Sequence, residues 1–165
     1  MWGIYSIGMG PPRAEDRLPI PALMRAARGS YAEAIRRHLA AEEIDDLPRN
    51  GAFVLSGLAN GDDSVVEMIR GLGVTKQAAS QLIDTLVLRG YLTRAVNPED
   101  RRRMTIDLTD RGRTAAAAIL AGTESIDREL ARTLSAVEMS GLRAGLAALG
   151  EIKRAAEIRD MTANR

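Results

Sequence analysis

From Ala22 to about Glu43, apolar or small residues recur at positions 23, 27, 31, 34, 35, 38 and 39. Spacing of three and four puts such residues on one stripe, so this stretch predicts an amphipathic helix. Asp45-Asp46-Leu47-Pro48-Arg49-Asn50-Gly51 breaks it. Ala52 to Ala59 is a short apolar run closed by Asn60-Gly61, and it predicts a second helix. Ser64 stands three residues before Glu67, a pairing in which each side chain satisfies the other's open backbone amide, so a helix is expected from Val65 to about Gly71. After the tight apolar turn Leu72-Gly73-Val74, Thr75 is placed to cap a helix from Lys76 to Arg89 that Gly90 stops. Two short helices joined by a glycine-containing turn form the helix-turn-helix arrangement.

The period then changes. Tyr91 to Val96 reads as a strand, Asn97-Pro98-Glu99-Asp100 as a turn, and Met104 to Leu108 as an alternating strand, which together make a hairpin with a basic tip. Thr109-Asp110 caps a further helix through Ala115 and Leu120 to about Arg132, with a bend marked by Gly122. A last helix begins at Ser135, with Glu138 three residues on, and carries Leu142, Leu146, Leu149, Ile152 and Ala156 on one face. That stripe would be wet in a single chain, which predicts dimerisation through the two chain ends; packing onto the chain's own first helix would hide part of it. Residues 1–21, punctuated by Pro11-Pro12 and Pro19-Ile20-Pro21, read as an extended arm. The expected organisation is a mainly α fold with a small α+β element. A winged helix-turn-helix lobe spans 51–109, a helical dimerisation region is made of 22–48 and 110–160, and 161–165 form a tail.

Composition narrows the chemistry. The 165 residues are 45% hydrophobic and 27% charged, a globular balance with room for one ordinary domain and its oligomerisation helices. With five aromatics, Trp2, Tyr5, Tyr31, Phe53 and Tyr91, the core must be aliphatic. The absence of cysteine excludes disulfides, thiolate metal sites, cysteine nucleophiles and thiol-based redox sensing. His38 is the single histidine and has no Gly-x-Ser-x-Gly turn to serve, so no catalytic site, metal site or cofactor is expected; a hydrolase built on His38 is a distant third reading. Gly8-Met9-Gly10 and Gly71-Leu72-Gly73 are turns, too short and wrongly placed for a nucleotide fingerprint. No run is apolar enough to span a membrane, and Met1 to Met9 lacks the basic lead of a secretory signal, so a soluble intracellular protein is expected.

The overall charge of +1 hides an uneven distribution. Residues 40–69 set Arg49 against seven acids and carry −6, whereas residues 70–113 set nine bases against five acids and carry +4. A basic segment on a neutral body fits a polyanion-facing part, although solvated charge would also produce it.

Leu72-Gly73-Val74-Thr75, the spacing to Leu82-Ile83, then Leu86 and Arg89-Gly90-Tyr91-Leu92 are followed by Asn97-Pro98-Glu99-Asp100-Arg101-Arg102 and by Ile106, Leu108, Thr109 and Gly112. This run resembles the recognition helix and wing of the MarR family of winged helix-turn-helix regulators, small dimeric bacterial transcription factors. In that family's wing signature, Asp-x-Arg precedes an apolar strand and a Leu-Thr helix start. Element order agrees across roughly residues 22–158. The resemblance implies a triangular homodimer whose first and last two helices interlock, acting in the bacterial cytoplasm at the nucleoid. It also implies a small-molecule pocket between the dimer body and each DNA-binding lobe, suited to a phenolic or other aromatic effector. Two departures matter: cysteine-based peroxide sensing is excluded, and the position of Gln81 often carries arginine in the family, so base preference does not transfer.

A major groove about 12 Å wide admits one helix, whose first turns face the base edges. The candidates are Thr75, Lys76, Gln77, Ser80 and Gln81, with Thr85 one turn further. Thr75 and the open amides beside it suit a phosphate, Gln pairs both ways with adenine, and Lys reaches guanine or phosphate. A merely solvated polar face is the plainer reading, and the turn before and hairpin after this helix argue against it. In the wing, Asp100 is placed to brace Arg102, leaving Arg94, Arg101, Arg102 and Arg103 for phosphate or minor-groove contacts. Tyr31 and His38 recur on the inward side of the first helix and, with Met24 and Phe53, are the candidate ligand contacts; a satisfied core histidine is the plainer reading of His38. The function expected is a repressor that binds a pseudo-palindromic DNA operator as a homodimer under small-molecule control. The alternative is a winged-helix architectural or protein-interaction module without specific operator recognition.

Overall fold

The computed structural model describes residues 18–61, 75–96 and 104–163. The expected helix at 65–71, the wing turn at 97–100, the basic tip at 101–103 and most of the N-terminal arm lie outside the described residues. Among the described residues the elements in order are α1 (Ile20–Ala41), α2 (Gly51–Ala59), α3 (Lys76–Leu88), β1 (Leu92–Val96), β2 (Met104–Leu108), α4 (Asp110–Thr133) and α5 (Ala136–Ala163). The described residues are mostly helical, with an antiparallel pair of strands in which Leu92 faces Leu108 and Arg94 faces Ile106. The chain separates into two compact units, one ending at Thr123 and the other beginning at Glu124.

In the first unit the core is aliphatic, as the shortage of aromatics requires. Leu39 and Ile44 from α1 and its exit, Val54 and Leu55 from α2, Ile83 and Leu86 from α3, Tyr91 and Leu92, and Ala115, Ala116, Ala118 and Ile119 from α4 form one cluster. Small residues on α4 permit the close backbone approach that this cluster needs. A Cβ on Gly112 would stand 2.1 Å from the carbonyl oxygen of Tyr91, and one on Gly122 would stand 2.7 Å from the Cα of Ile35. Neither distance is open to a side chain, so both positions require glycine. Gly122, which the sequence marks as a bend, lies within an unbroken helix and admits α1 at a crossing. The apolar stripe of α1 is covered only toward its C-terminal half: Ala34 and Leu39 are buried, whereas Leu23 and Met24 stay exposed.

Helix ends follow local chemistry. The Thr75 hydroxyl accepts from the Ala78 amide at 3.2 Å and opens α3. Thr109 does the same for α4, accepting from the Gly112 amide at 3.0 Å while its own amide donates to the Tyr91 carbonyl at 3.1 Å. Ser135 and Glu138 form the reciprocal cap of α5, with the Ser135 amide donating to the Glu138 carboxylate at 2.9 Å and the Glu138 amide donating to the Ser135 hydroxyl at 3.3 Å.

In the second unit, none of the described residues of α5 is buried. Leu142, Leu146, Leu149, Ile152 and Ile158 are all exposed. No helix among the described residues is long and apolar enough to cross a membrane.

Candidate nucleic-acid interface

The helix α3 divides cleanly into two faces. Ile83 and Leu86 are buried and Ala79, Leu82 and Val87 half-buried, the spacing of one helical stripe. Lys76, Gln77, Ser80 and Gln81 lie on the opposite side, all exposed. The helix is therefore anchored along one side and by its C-terminal half, and its first two turns present polar groups outward. At its start, Thr75 satisfies one amide, and Lys76 adds a positive charge to an end that is already the positive pole of the helix dipole. Of the six recognition-helix candidates, Thr85 differs: it is half-buried, and its hydroxyl donates to the Gln81 carbonyl at 2.7 Å.

Of the five wing candidates, only Arg94 lies among the described residues. It is exposed on β1, and its guanidinium donates to the Asp84 carboxylate of α3 at 2.5 Å. The pair ties the wing strand to the recognition helix, although exposed pairs of this kind contribute only about 0.2–1 kcal/mol. Asp100, Arg101, Arg102 and Arg103 lie outside the described residues.

Behind α3 sits a group of residues absent from the sequence-based candidates. The Asp46 carboxylate accepts from the Tyr91 hydroxyl and from the Arg111 guanidinium, the latter at 2.8 Å. Arg111 also donates to the Arg89 carbonyl at 2.8 Å, and its guanidinium lies 4.5 Å from the centre of the Tyr91 ring. Arg89 in turn donates to the Asp46 carbonyl. The hydrogen bond from Tyr91, with the nearby Arg111 and Arg89 charges, holds the Asp46 carboxyl below its ordinary value against the opposing effect of desolvation. Burial, and secondly the bond to Asp46, push the Tyr91 phenol up to about 12. Separations of 43 to 65 residues hide this group from any local pattern. The only trace in the sequence is an acidic connection before Pro48 set against a basic segment after residue 89.

A cavity of about 620 Å³ opens between α2, β2 and α4, lined by Ser56, Leu58, Ala59 and Asn60, by Asp107 and Leu108, and by Arg113, Ala116, Ala117 and Leu120. Its wall is largely apolar, with Asp107 and Arg113 as its charged members; Arg113 donates to the Leu108 carbonyl at 2.7 Å and pairs with Asp110 at 2.5 Å. None of the four candidate ligand contacts is among these lining residues. Met24 and Phe53 are exposed, at 42% and 45%, and Tyr31 and His38 are half-buried on α1. The His38 Nδ1 donates to the Ala34 carbonyl at 2.9 Å, which in the neutral ring leaves Nε2 as an acceptor.

Residues 45–103 match the MarR family. No curated protein sequence matches the chain. Among solved structures the chain is similar to the MepR–DNA complex of S. aureus, at 20% identity over 81% of this chain and 97% of that one, with a TM-score of 0.63. It is similar also to S. aureus MepR bound to ethidium bromide, at 20% identity over 81% and 96% with a TM-score of 0.54. A third relative in fold is CouR from Rhodococcus jostii RHA1 bound to p-coumaroyl-CoA, at 19% identity over 79% and 91% with a TM-score of 0.59. At these identities the likeness is one of fold, and it takes in the long helices on either side of residues 45–103. A capped helix, a two-stranded wing and flanking helices in this order give the chain a winged helix-turn-helix fold, and residues 45–103 within it are similar to the MarR family.

Proposed function

We propose that this chain is a DNA-binding transcriptional regulator that acts as a homodimeric repressor in the bacterial cytoplasm. The observation that carries the reading is the exposed polar face of α3, Lys76, Gln77, Ser80 and Gln81, backed by the buried pair Ile83 and Leu86. A face of this kind, on a helix held from behind, is what a major groove accepts. Gln77 and Gln81, both exposed, are assigned to adenine edges, and Lys76 and the Thr75 cap to guanine or phosphate. The arginines of the wing, Arg101 to Arg103, reach the flanking backbone or minor groove. The fold shared with MepR bound to DNA supports this use.

The apolar faces that the single chain leaves open, Leu23 and Met24 on α1 and Leu142, Leu146 and Leu149 on α5, are covered by a second copy. Two-fold symmetry then places two recognition helices about 34 Å apart, and the operator is a pseudo-palindrome with that spacing. The cavity beneath α2 receives an effector with an aromatic group, a reading supported by the ethidium and p-coumaroyl-CoA complexes of proteins with this fold. The effector lowers DNA affinity only by binding more tightly to dimers whose lobes are wrongly spaced; equal affinity for both forms would shift nothing.

Selection of genomic fragments by the purified protein, followed by sequencing, tests the reading. Inverted half-sites one helical turn apart are the expected outcome. A flat collection of unrelated fragments would instead favour the architectural module.

A further inference from the structure

We propose that Asp46 is a positioning residue for DNA binding, pinning both connections between the winged lobe and the long helices to the end of the recognition helix. The proposal rests on the reading of α3 as the DNA-contacting helix. Among the described residues, the chain passes between long helix and lobe at two places: after α1, through residues 42–50, and at Thr109, just before α4. Asp46 lies in the first connection. Arg111 lies in the first turn of α4, immediately past the second. Arg89 and Tyr91 flank the glycine that ends α3.

Asp46 joins all three, Tyr91 and Arg111 through its carboxylate and Arg89 through its backbone carbonyl. The carboxylate accepts from the Tyr91 hydroxyl and from Arg111, whose second nitrogen donates to the Arg89 carbonyl, while the Arg89 guanidinium donates to the Asp46 carbonyl. The circuit closes on itself, so neither connection can swing without breaking a charge-assisted bond.

The placement of Arg111 is informative. A cation in the first turn of a helix opposes the helix dipole, so this arginine is a poor choice for the stability of α4 alone. Its position is favourable for the other helix, because it meets a carbonyl at the C-terminal end of α3, where positive charge is welcome. An exposed ion pair in isolation would be loose. Here the Tyr91 ring is completely buried beneath Arg111 and its hydroxyl is aimed at Asp46, which fixes the geometry of the rest.

The consequence is mechanical. At 1.5 Å per residue, α3 is about 20 Å long, so a tilt of about 10° at its C-terminal end displaces its first turn by about 3 Å. That displacement is as large as a hydrogen bond is long. In a dimer, such a tilt changes the separation of the two recognition helices while leaving the face of each intact. Asp46 therefore sets the spacing between half-sites rather than the reading of either one.

The test compares wild type with Asp46→Ala, and with Asp46→Asn as the milder variant should the alanine protein fail to fold. Hydrogen exchange on the DNA-free protein should become at least about fivefold faster at residues 86–92 and 109–113, with α2 unchanged. On the duplex that wild type selects, affinity should fall about tenfold, and the preferred spacer should broaden in a series lengthened and shortened by one and two base pairs. Affinity for the same duplex cut to a single half-site should stay within about twofold, a result that damage to the lobe itself would not give. Unchanged exchange in both segments would overturn the proposal, as would half-site and two-site affinities falling in parallel. If wild type selects no discrete duplex, the regulator reading fails, and the exchange measurement alone decides whether Asp46 is the joint.

Discussion

The described residues up to Thr123 and the segment from Glu124 onward are both built mostly from helix, yet they are held by different means. The first is tied by contacts between residues far apart in sequence: an aliphatic cluster shared by four helices and a strand, two glycine crossings, and the ring of bonds around Asp46. The second relies on local chemistry. Its described ion pairs join residues three or four apart, Glu124 with Arg128, Glu129 with Arg132 and Glu151 with Arg154, and its last helix opens on the Ser135 and Glu138 cap. Local terms suffice to define where a helix starts and ends, but stability in most helices comes from burying a face. The first region buries its apolar cluster within one chain, whereas the described apolar residues of the C-terminal helix stay exposed.

The largest expected effect falls on the first region. Gly112→Val puts side-chain atoms where the Tyr91 carbonyl stands, and it should destabilise the lobe by about 3 kcal/mol or more, read as a lowered midpoint in urea. If the comparison were wrong and α4 could shift at little cost, the midpoint would hardly move.

Next comes the open face. Leu146→Glu combined with Leu149→Glu should raise the dimer dissociation constant by about a hundredfold, or about 2.7 kcal/mol, in sedimentation experiments. The melting of the lobe should remain nearly unchanged. A chain that sediments as a monomer before any substitution would remove the dimer altogether.

Tyr91→Phe is expected to lower stability at neutral pH by about 1 kcal/mol and to change its pH profile. The Asp46 carboxyl is lowered in the folded protein, so its contribution is present above its unfolded value near 4 and is lost as pH falls through the lowered one. The Tyr91 phenol is raised to about 12, so its contribution is present below the unfolded value near 10 and is lost as pH rises toward 12. Thermal melts should therefore show a plateau from about pH 4 to 10 in wild type. The phenylalanine variant should lack the alkaline shoulder and show a smaller acid one. The smallest effect is expected at Arg132→Ala, an exposed pair in the second region, at under about 0.5 kcal/mol.

What could be read from the chain in advance follows the same division. Thr75, Thr109 and the Ser135 and Glu138 pair announce helix starts because a cap acts over three residues, and the structure forms each of them. The strands at 92–96 and 104–108 were legible from their alternation and from the turn residues between them. Asp46, Tyr91 and Arg111 were not, because nothing local distinguishes a carboxylate in an acidic loop from one that closes a circuit across 65 residues. Arg94 reads as one more wing base until the folded chain sets it beside Asp84. For Met24, Tyr31, His38 and Phe53 the period of a helix marks an inward face without saying what covers it, and the cavity of the single chain is walled by a different set of residues, Ala116 and Ala117 among them.

Entry of the first turns of α3 into the major groove is tested most directly by methylation protection at guanine N7, an atom exposed only in that groove. On the selected duplex, wild type should shield two groups of guanines about 10 base pairs apart, and the double variant Lys76→Ala, Gln81→Ala should lose that shielding while still forming dimers. Bound DNA whose guanines stay fully reactive, or shielding that survives the double substitution intact, would contradict the account.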